Sequence, residues 1–222
     1  YMDVIFKKGL NLTQYHFQAL QEADAIIFWS KAILNLIKST YSIKGKCAYI
    51  PYGVPTELFN PTNYDPRIFL EKYPFAKEKF KILYSGGIWR SSTGEDYHGI
   101  DKLPLIMKLL LRYYGKENVI LILNAPYDSK LYRSFKRKGL LGKVLWIPFM
   151  RFNSPVRQAM FNASNICLLT ASEFPTVYYA ERMKLFEYMA SGKAIVAEET
   201  AGVKGVLTHE VNSIMTKLND ID

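Results

Sequence analysis

Short apolar runs alternate along the chain with stretches that have the period of an amphipathic helix. Such runs, rich in β-branched residues, are typical of strands buried on both faces of a parallel sheet. The pattern predicts strands at 81–85, 119–123, 144–147, 166–170, 194–197 and 212–215. Helical periods lie between them at 67–72, 103–113, 129–138 and 156–161. This alternation predicts an α/β fold with a doubly wound parallel sheet.

The start of the chain shows the same alternation on a smaller scale. It predicts helices at 12–23 and 31–39 and strands at 25–29 and 47–50. Ser30 stands where the second helix needs a side-chain N-cap. Prolines and a glycine at positions 51, 53, 55 and 61 then mark a hinge. We therefore divide the chain into residues 1–57, a piece of one α/β domain, and residues 58–222, a second domain.

The segment 181–196, ERMKLFEYMASGKAIV, joins a helix to a strand. Apolar residues at three- and four-residue steps, Leu185 among them, predict a buried helical stripe, and Gly192 stands at the expected C-cap. Lys184 and Glu187 share one face of the first turns, where the helix dipole and free N–H groups favour an anion. A cation for phosphate beside a carboxylate for ribose hydroxyls would suit a nucleoside diphosphate. A solvated ion pair between these two residues is the alternative.

Composition and charge narrow the partners. Hydrophobic residues make up 49% and charged residues 22% of 222 positions, an ordinary globular profile. The net charge of +9 favours nucleotide phosphates, an anionic membrane surface or nucleic acid, with a generally basic surface as the alternative. The basic cluster at 133–143, RSFKRKGLLGK, is typical of a solvated helix face or of a patch that contacts anionic lipid. No apolar run of the sequence has the length of a membrane span.

Two segments resemble a known family. KLFEYMASGKAIVA resembles the donor-site segment of retaining GT-B glycosyltransferases of the group 1, family 4 type, and IPYGVPTELFNP resembles their interdomain crossing. The resemblance implies a Rossmann-like donor-binding domain at 58–222, preceded by the end of the acceptor-side domain at 1–57. It also implies that the family's C-terminal helices would follow residue 222. Glu187 matches the glutamate that holds the ribose of the nucleotide.

A phosphate site is expected where the first strand of the second domain ends. Gly86 and Gly87 follow that strand, and glycines let a backbone approach a diphosphate closely, although an ordinary tight turn is the alternative. The family pattern GRL…KG has an Arg where this chain has Gly87 and a Lys where it has His98. We therefore expect Arg90, in the long loop 89–97, to substitute. Arg90 and Lys184 are the predicted catalytic cations.

The remaining donor-site positions follow from the same resemblance. Phe149, in LWIPFMR, stands where relatives flank the base, with a core aromatic as the alternative. The family's first acidic residue lies eight positions before its second, which here is Tyr179. Glu181 is the nearest carboxylate that could reach the sugar instead. Leu185 completes the predicted donor-binding set.

The resemblance implies sugar transfer from a nucleoside-diphosphate sugar to an acceptor hydroxyl, with retention, in the synthesis of a glycan, glycolipid or polysaccharide. The expected acceptor is a glycan or a lipid-linked sugar, with no cofactor, no metal and no nucleic acid. A cytoplasmic location is expected, with peripheral contact at the inner face of an anionic membrane as a further hypothesis. The alternatives are a degenerate nucleotide-sugar-binding module without activity and a sugar-nucleotide epimerase of similar shape.

Overall fold

The structure is a computed structural model that describes residues 14–113 and 118–221. Its first part holds two paired parallel strands and two helices: α1 (Gln14–Glu22), β1 (Ala25–Phe28), α2 (Lys31–Thr40) and β2 (Lys46–Tyr49). The Ser30 hydroxyl caps α2, as predicted, by accepting a hydrogen bond from the Ile33 backbone N–H at 3.3 Å. Residues 12–13 of the predicted first helix lie outside the described residues.

The second part is built on six strands. These are β3 (Phe80–Ser85), β4 (Val119–Asn124), β5 (Val144–Ile147), β6 (Ile166–Leu169), β7 (Ala194–Glu198) and β8 (Ile214–Thr216). Every pairing is parallel, and the strand order is β5-β4-β3-β6-β7-β8. The order reverses between β3 and β6, and open sheets of this kind bind ligands at the carboxyl ends of the strands there. The predicted doubly wound parallel sheet is confirmed.

Two helices precede β3, and the others lie between the strands that follow. They are α3 (Thr56–Phe59), α4 (Arg67–Lys72), α5 (Leu103–Tyr113), α6 (Ser129–Arg137), α7 (Pro155–Ala163), α8 (Pro175–Tyr178), α9 (Met183–Ala190) and α10 (Ala201–Lys204). Two features differ from the prediction. The loop before α9 contains the short helix α8, and α9 begins at Met183 because Arg182 is extended, with φ −80° and ψ 136°. Glu181 therefore precedes the helix.

The core covers both faces of the sheet because successive residues of β3 point to opposite sides. Leu83 packs with Phe161 of α7 and Leu185 of α9. Tyr84 packs on the other side with Met107 of α5 and side chains of α6. The end of β3 is thus held from both faces, which fixes the position of the loop that follows it.

Candidate functional site

A cleft of about 340 Å³ lies at the carboxyl end of β3. Its floor is the turn at Gly86 and Gly87, and one wall is the start of α9. The opposite side comes from the first part of the chain, where the rings of Trp29 and Tyr52 lie 5.1 Å apart. The cleft therefore sits at the point where the strand order reverses, as ligand sites in such sheets do.

The glycine turn lets a cation reach the strand end. A Cβ atom on Gly86 would lie 2.5 Å from Lys184 Nζ, and a Cβ atom on Gly87 would lie 2.5 Å from Trp89 Nε1. Both distances are too short for ordinary contacts, so the missing side chains provide the space that Lys184 and Trp89 occupy. The approach of a diphosphate to this turn stays a prediction, and Lys184 and Trp89 are the side chains that lie against the two glycines.

Two cations line the cleft beside that turn. Lys184 Nζ donates to the Tyr84 hydroxyl at 2.9 Å and lies 4.2 Å from the centre of its ring. Part of the lysine is exposed in the cleft, but protein surrounds its ammonium group. Burial first and Arg182 second lower the pKa of Lys184 well below its usual value.

Arg182 is the second cation, and its side chain is buried. One guanidinium nitrogen donates to the Thr170 carbonyl at 2.6 Å, while Nε and Nη2 have no partner among the described residues. Burial lowers the pKa of Arg182. Buried donors without acceptors cost free energy, and a bound anion would supply acceptors. The pair of cations therefore suits a phosphate group.

A buried ion pair forms the next wall of the cleft. Glu187 is 5% exposed and Arg157 is 1% exposed, and Arg157 Nη2 donates to Glu187 Oε2 at 2.8 Å. Both residues line the cleft. This pairing excludes the solvated Lys184–Glu187 ion pair that spacing alone allowed. It leaves a carboxylate and two nearby cations facing one cavity.

The structure brings most of the predicted residues together. The following predicted residues line the cleft: Gly86, Gly87, His98, Phe149, Glu181, Lys184 and Glu187. Phe149 is 51% exposed, so it is not the core aromatic of the alternative interpretation. Arg90, Tyr179 and Leu185 lie elsewhere.

Arg90 is held by two carboxylates and not by the cleft. Its guanidinium donates to Asp128 at 2.7 and 2.9 Å and to Asp101 at 3.0 and 2.8 Å. Desolvation would raise the pKa of both carboxyls, but hydrogen bonds, chiefly from Arg90, outweigh it and lower them. The expectation that Arg90 supplies a free charge at the diphosphate is therefore corrected: it fastens the loop 89–97 to the start of α6.

Two further positions have structural roles, and the sequence pattern had predicted the burial of only one of them, Leu185. Leu185 is fully buried in the core, and its N–H donates to the Arg182 carbonyl at 2.9 Å. The Tyr179 carbonyl accepts a hydrogen bond from the Ser30 hydroxyl, and the residue lines a separate groove with Lys204. These placements correct the expected donor contacts of both residues.

Glu181 lines the cleft, but its carboxylate joins the two parts of the chain. One oxygen accepts from the Lys31 backbone N–H at 2.9 Å, and the other accepts from the Tyr49 hydroxyl. Burial and this carboxylate raise the pKa of Tyr49 to about 12. With both oxygens engaged, Glu181 acts as a tie and is poorly placed to accept from sugar hydroxyls.

Sequence reasoning missed Arg157 and Arg182. Arg182 stands two positions before Lys184 in ERMK, so a second cation at the helix start was visible as a signal. Arg157 gave no signal, since its partner lies thirty positions away along the chain. Its importance follows only from the packing of α7 against α9.

His98 is a half-buried neutral ring. Its Nδ1 is sealed from solvent and has no partner among the described residues. Burial first, and the charges of Lys184 and Arg182 next, lower the pKa of His98 to about 2. At neutral pH the ring therefore adds no charge to the cleft.

We expect His98 to make the fold sensitive to acid. Between about pH 6.5 and its folded pKa, the unfolded chain binds a proton that the folded chain does not, so stability falls as pH falls. Going from pH 7 to pH 5 should cost roughly 2 kcal/mol through this group. Urea unfolding at several pH values in that range measures the free energy of unfolding, which should depend less steeply on pH in His98→Gln than in wild type. The exposed His209→Gln is the control, and equal slopes for wild type and His98→Gln would contradict the expectation.

Among residues 14–113 and 118–221, no group of three or more His, Cys, Asp or Glu side chains is arranged to hold a metal ion. Both cysteines are free thiols, and Cys167 is buried. Within the same described residues, no helix combines the length and the apolar character needed to cross a bilayer.

No protein-family model matches the chain, and no curated protein matches it. Solved structures match its fold. A glycosyltransferase from Rickettsia africae does so with a TM-score of 0.72 and 16% identity, over 95% of this chain and 55% of that one. Sucrose-phosphate synthase from Thermosynechococcus elongatus matches with a TM-score of 0.71 and 17% identity, over 93% of this chain and 48% of that one. Anabaena HepE in complex with UDP and glucose matches with a TM-score of 0.68 and 19% identity, over 95% of this chain and 55% of that one.

These similarities show the fold. The chain has the GT-B fold of these structures, which confirms the fold predicted from its pattern and from its resemblance to the family. It spans about half the length of the solved structures that it matches.

Proposed function

We propose that the protein is a glycosyltransferase that moves a sugar from a nucleoside-diphosphate sugar to an acceptor hydroxyl, with retention, in glycan, glycolipid or polysaccharide synthesis. The observation that carries the proposal is the meeting of Lys184, Arg182 and Glu187 in one cleft at the end of β3. Anabaena HepE, which shares the fold, is solved with UDP and with UDP-glucose. We therefore assign the donor to the class of nucleoside-diphosphate sugars.

Each side chain has a role in this proposal. The diphosphate lies at Gly86, where Arg182 and Lys184 supply positive charge to it. The ribose hydroxyls donate to Glu187, and the base lies against Phe149. Negative charge grows on the diphosphate as the sugar departs, and fixed cations in a partly desolvated cleft stabilise that charge. We propose that these two cations do so without a metal ion.

The acceptor and the location extend the proposal. We assign the acceptor to glycans or lipid-linked sugars and the protein to the cytoplasm. The exposed basic residues of α6, Arg133, Lys136 and Arg137, would contact an anionic membrane surface peripherally. Vesicles of anionic lipid are the probe for that contact.

Two other functions are the alternatives to the transferase. An epimerase needs a proton donor and acceptor beside the sugar, and His98, the histidine that lines the cleft, has a pKa of about 2 and cannot donate near neutral pH. A degenerate binding module would keep the nucleotide site and lack transfer. Both functions use the cluster of Lys184, Arg182 and Glu187, so an assay of sugar transfer, and not of nucleotide binding, separates the transferase from the degenerate module.

Calorimetric titration of the chain with UDP, GDP and ADP tests the donor site. We expect one nucleotide to bind saturably. Glu187→Gln should weaken it about 10- to 150-fold, the usual contribution of hydrogen bonds to a charged acceptor. Glutamine is chosen because it still accepts from Arg157. Glu173→Gln, in an exposed loop, is the matched control and should bind like wild type. Absence of binding to all three nucleotides, or equal losses in both variants, would contradict the proposal.

A further inference from the structure

The buried ion pair of Arg157 with Glu187 also lines the cleft, which a purely structural ion pair does not need to do. Arg157 is 1% exposed and lies in the first turns of α7, yet it lines the cleft together with Glu187. Its Nη2 holds Glu187 Oε2 at 2.8 Å. Replacing such a pair by apolar residues is often neutral or stabilising, so stability alone does not account for it.

Four phenyl rings surround the Arg157 guanidinium. The distances from its central carbon to the ring centres are 5.2 Å for Phe152, 5.1 Å for Phe161, 5.6 Å for Phe59 and 5.8 Å for Phe149. A guanidinium attracts aromatic faces, and its planar fork is more rigid than a lysine ammonium. The rings therefore fix the position of the cation, and through it the orientation of the Glu187 carboxylate.

The other carboxylate oxygen is available to a ligand. Within residues 14–113 and 118–221, no hydrogen bond or ion pair engages Glu187 Oε1. A carboxylate oxygen accepts hydrogen bonds and a sugar hydroxyl donates them. One oxygen of Glu187 is thus held by the protein while the other faces the cleft.

From this geometry we infer that Arg157 is a positioning residue, which orients Glu187 so that its free oxygen accepts from the ribose hydroxyls of the donor. The inference rests on the proposed function, because it needs a nucleotide in the cleft. A fixed acceptor gains more from a hydroxyl than a mobile one, since less conformational freedom is lost on binding. Arg157 would therefore set the discrimination between a ribose and a ribose that lacks hydroxyls.

The test compares each nucleotide that binds, among UDP, GDP and ADP, with its 2′,3′-dideoxy analogue by calorimetry on the full chain. Wild type should prefer the ribonucleotide about 10- to 150-fold. Arg157→Met should lower that ratio about 2- to 12-fold, because the Glu187 carboxylate must then be ordered on binding. Arg157→Lys, which keeps the charge without the planar fork, should give an intermediate ratio. Arg182→Met is the matched control: it should weaken both nucleotides and leave the wild-type ratio unchanged.

Thermal unfolding of each variant shows whether it folds. If Arg157→Met does not fold, the ratio of Arg157→Lys decides: a reduced ratio supports the inference and a wild-type ratio overturns it. A wild-type ratio in a folded Arg157→Met also overturns it while leaving the proposed donor site standing. If wild type binds none of the nucleotides, the proposed function fails and this inference fails with it.

Discussion

Replacing Glu187 by leucine is expected to lower the free energy of unfolding by about 3–5 kcal/mol, because it leaves the Arg157 guanidinium buried without a counter-charge. The carboxylate is the one ion-pair partner of that arginine among the described residues. Its phenyl surroundings offer no hydrogen-bond acceptor to replace the carboxylate. Denaturant unfolding of Glu187→Leu measures the loss.

A double-mutant cycle separates the pair from the rest of the core. Arg157→Met should also destabilise the fold, since it leaves the carboxylate buried alone. The double variant Glu187→Leu/Arg157→Met should cost clearly less than the two single changes added together, because no unpaired charge remains. Glu199→Leu breaks the partly exposed pair with Lys204 and should stay within about 0.5 kcal/mol of wild type. A Glu187→Leu variant as stable as this control would refute the expectation.

Replacing Lys184 by methionine is expected to separate binding from stability. Loss of the ammonium at the diphosphate should weaken nucleotide binding about 10- to 150-fold, the usual range for hydrogen bonds to charged groups. Stability should not fall, because burial and Arg182 lower the pKa of Lys184, which means that the fold disfavours its charged form. Methionine fills a similar volume without that desolvation.

The sign of the pH dependence follows from the same shift. Below the pKa of an unfolded lysine, about 10.4, the unfolded chain holds the Lys184 proton more tightly than the folded chain does. The free energy of unfolding of wild type should therefore rise through this group as pH rises towards that value. Lys184→Met lacks the group and should show no such rise, so the two free energies of unfolding should approach each other. Calorimetric titration with nucleotide measures the loss of affinity. Denaturant unfolding at several pH values measures the pH dependence of stability. Lys204→Met, an exposed lysine, is the control; equal nucleotide affinity in the two variants would contradict the prediction.

Arg182 and Lys184 lower the stability of the fold but suit the binding of an anion. Arg182 and Lys184 lie side by side with lowered pKa values, and Arg182 keeps N–H groups without acceptors. Both features cost folding free energy, and both disappear when an anion binds. Functional sites commonly retain such costs, which is why we interpret the two cations as a binding site and not as a structural cluster.

The sequence by itself determined the framework. The strands at β3, β4 and β5 and the helix α4 lie where the apolar pattern predicted them, because hydrophobic periodicity is a property of consecutive residues. The glycine turn at Gly86 and the pair Lys184 and Glu187 were also visible, since their spacing and their place beside a strand and a helix are local features. The fold class followed from that alternation.

Only the tertiary structure decided which charges face the cleft. Arg90 was expected there, but Asp101 and Asp128, eleven and thirty-eight positions away, hold it outside. Arg157 entered the site through a partner thirty positions away. A long polar side chain pairs with whatever group the topology brings within reach, and in a partly buried place that choice is worth several kcal/mol. Local patterns determine the element on which such a side chain stands, but the packing of distant elements determines which group its charge pairs with.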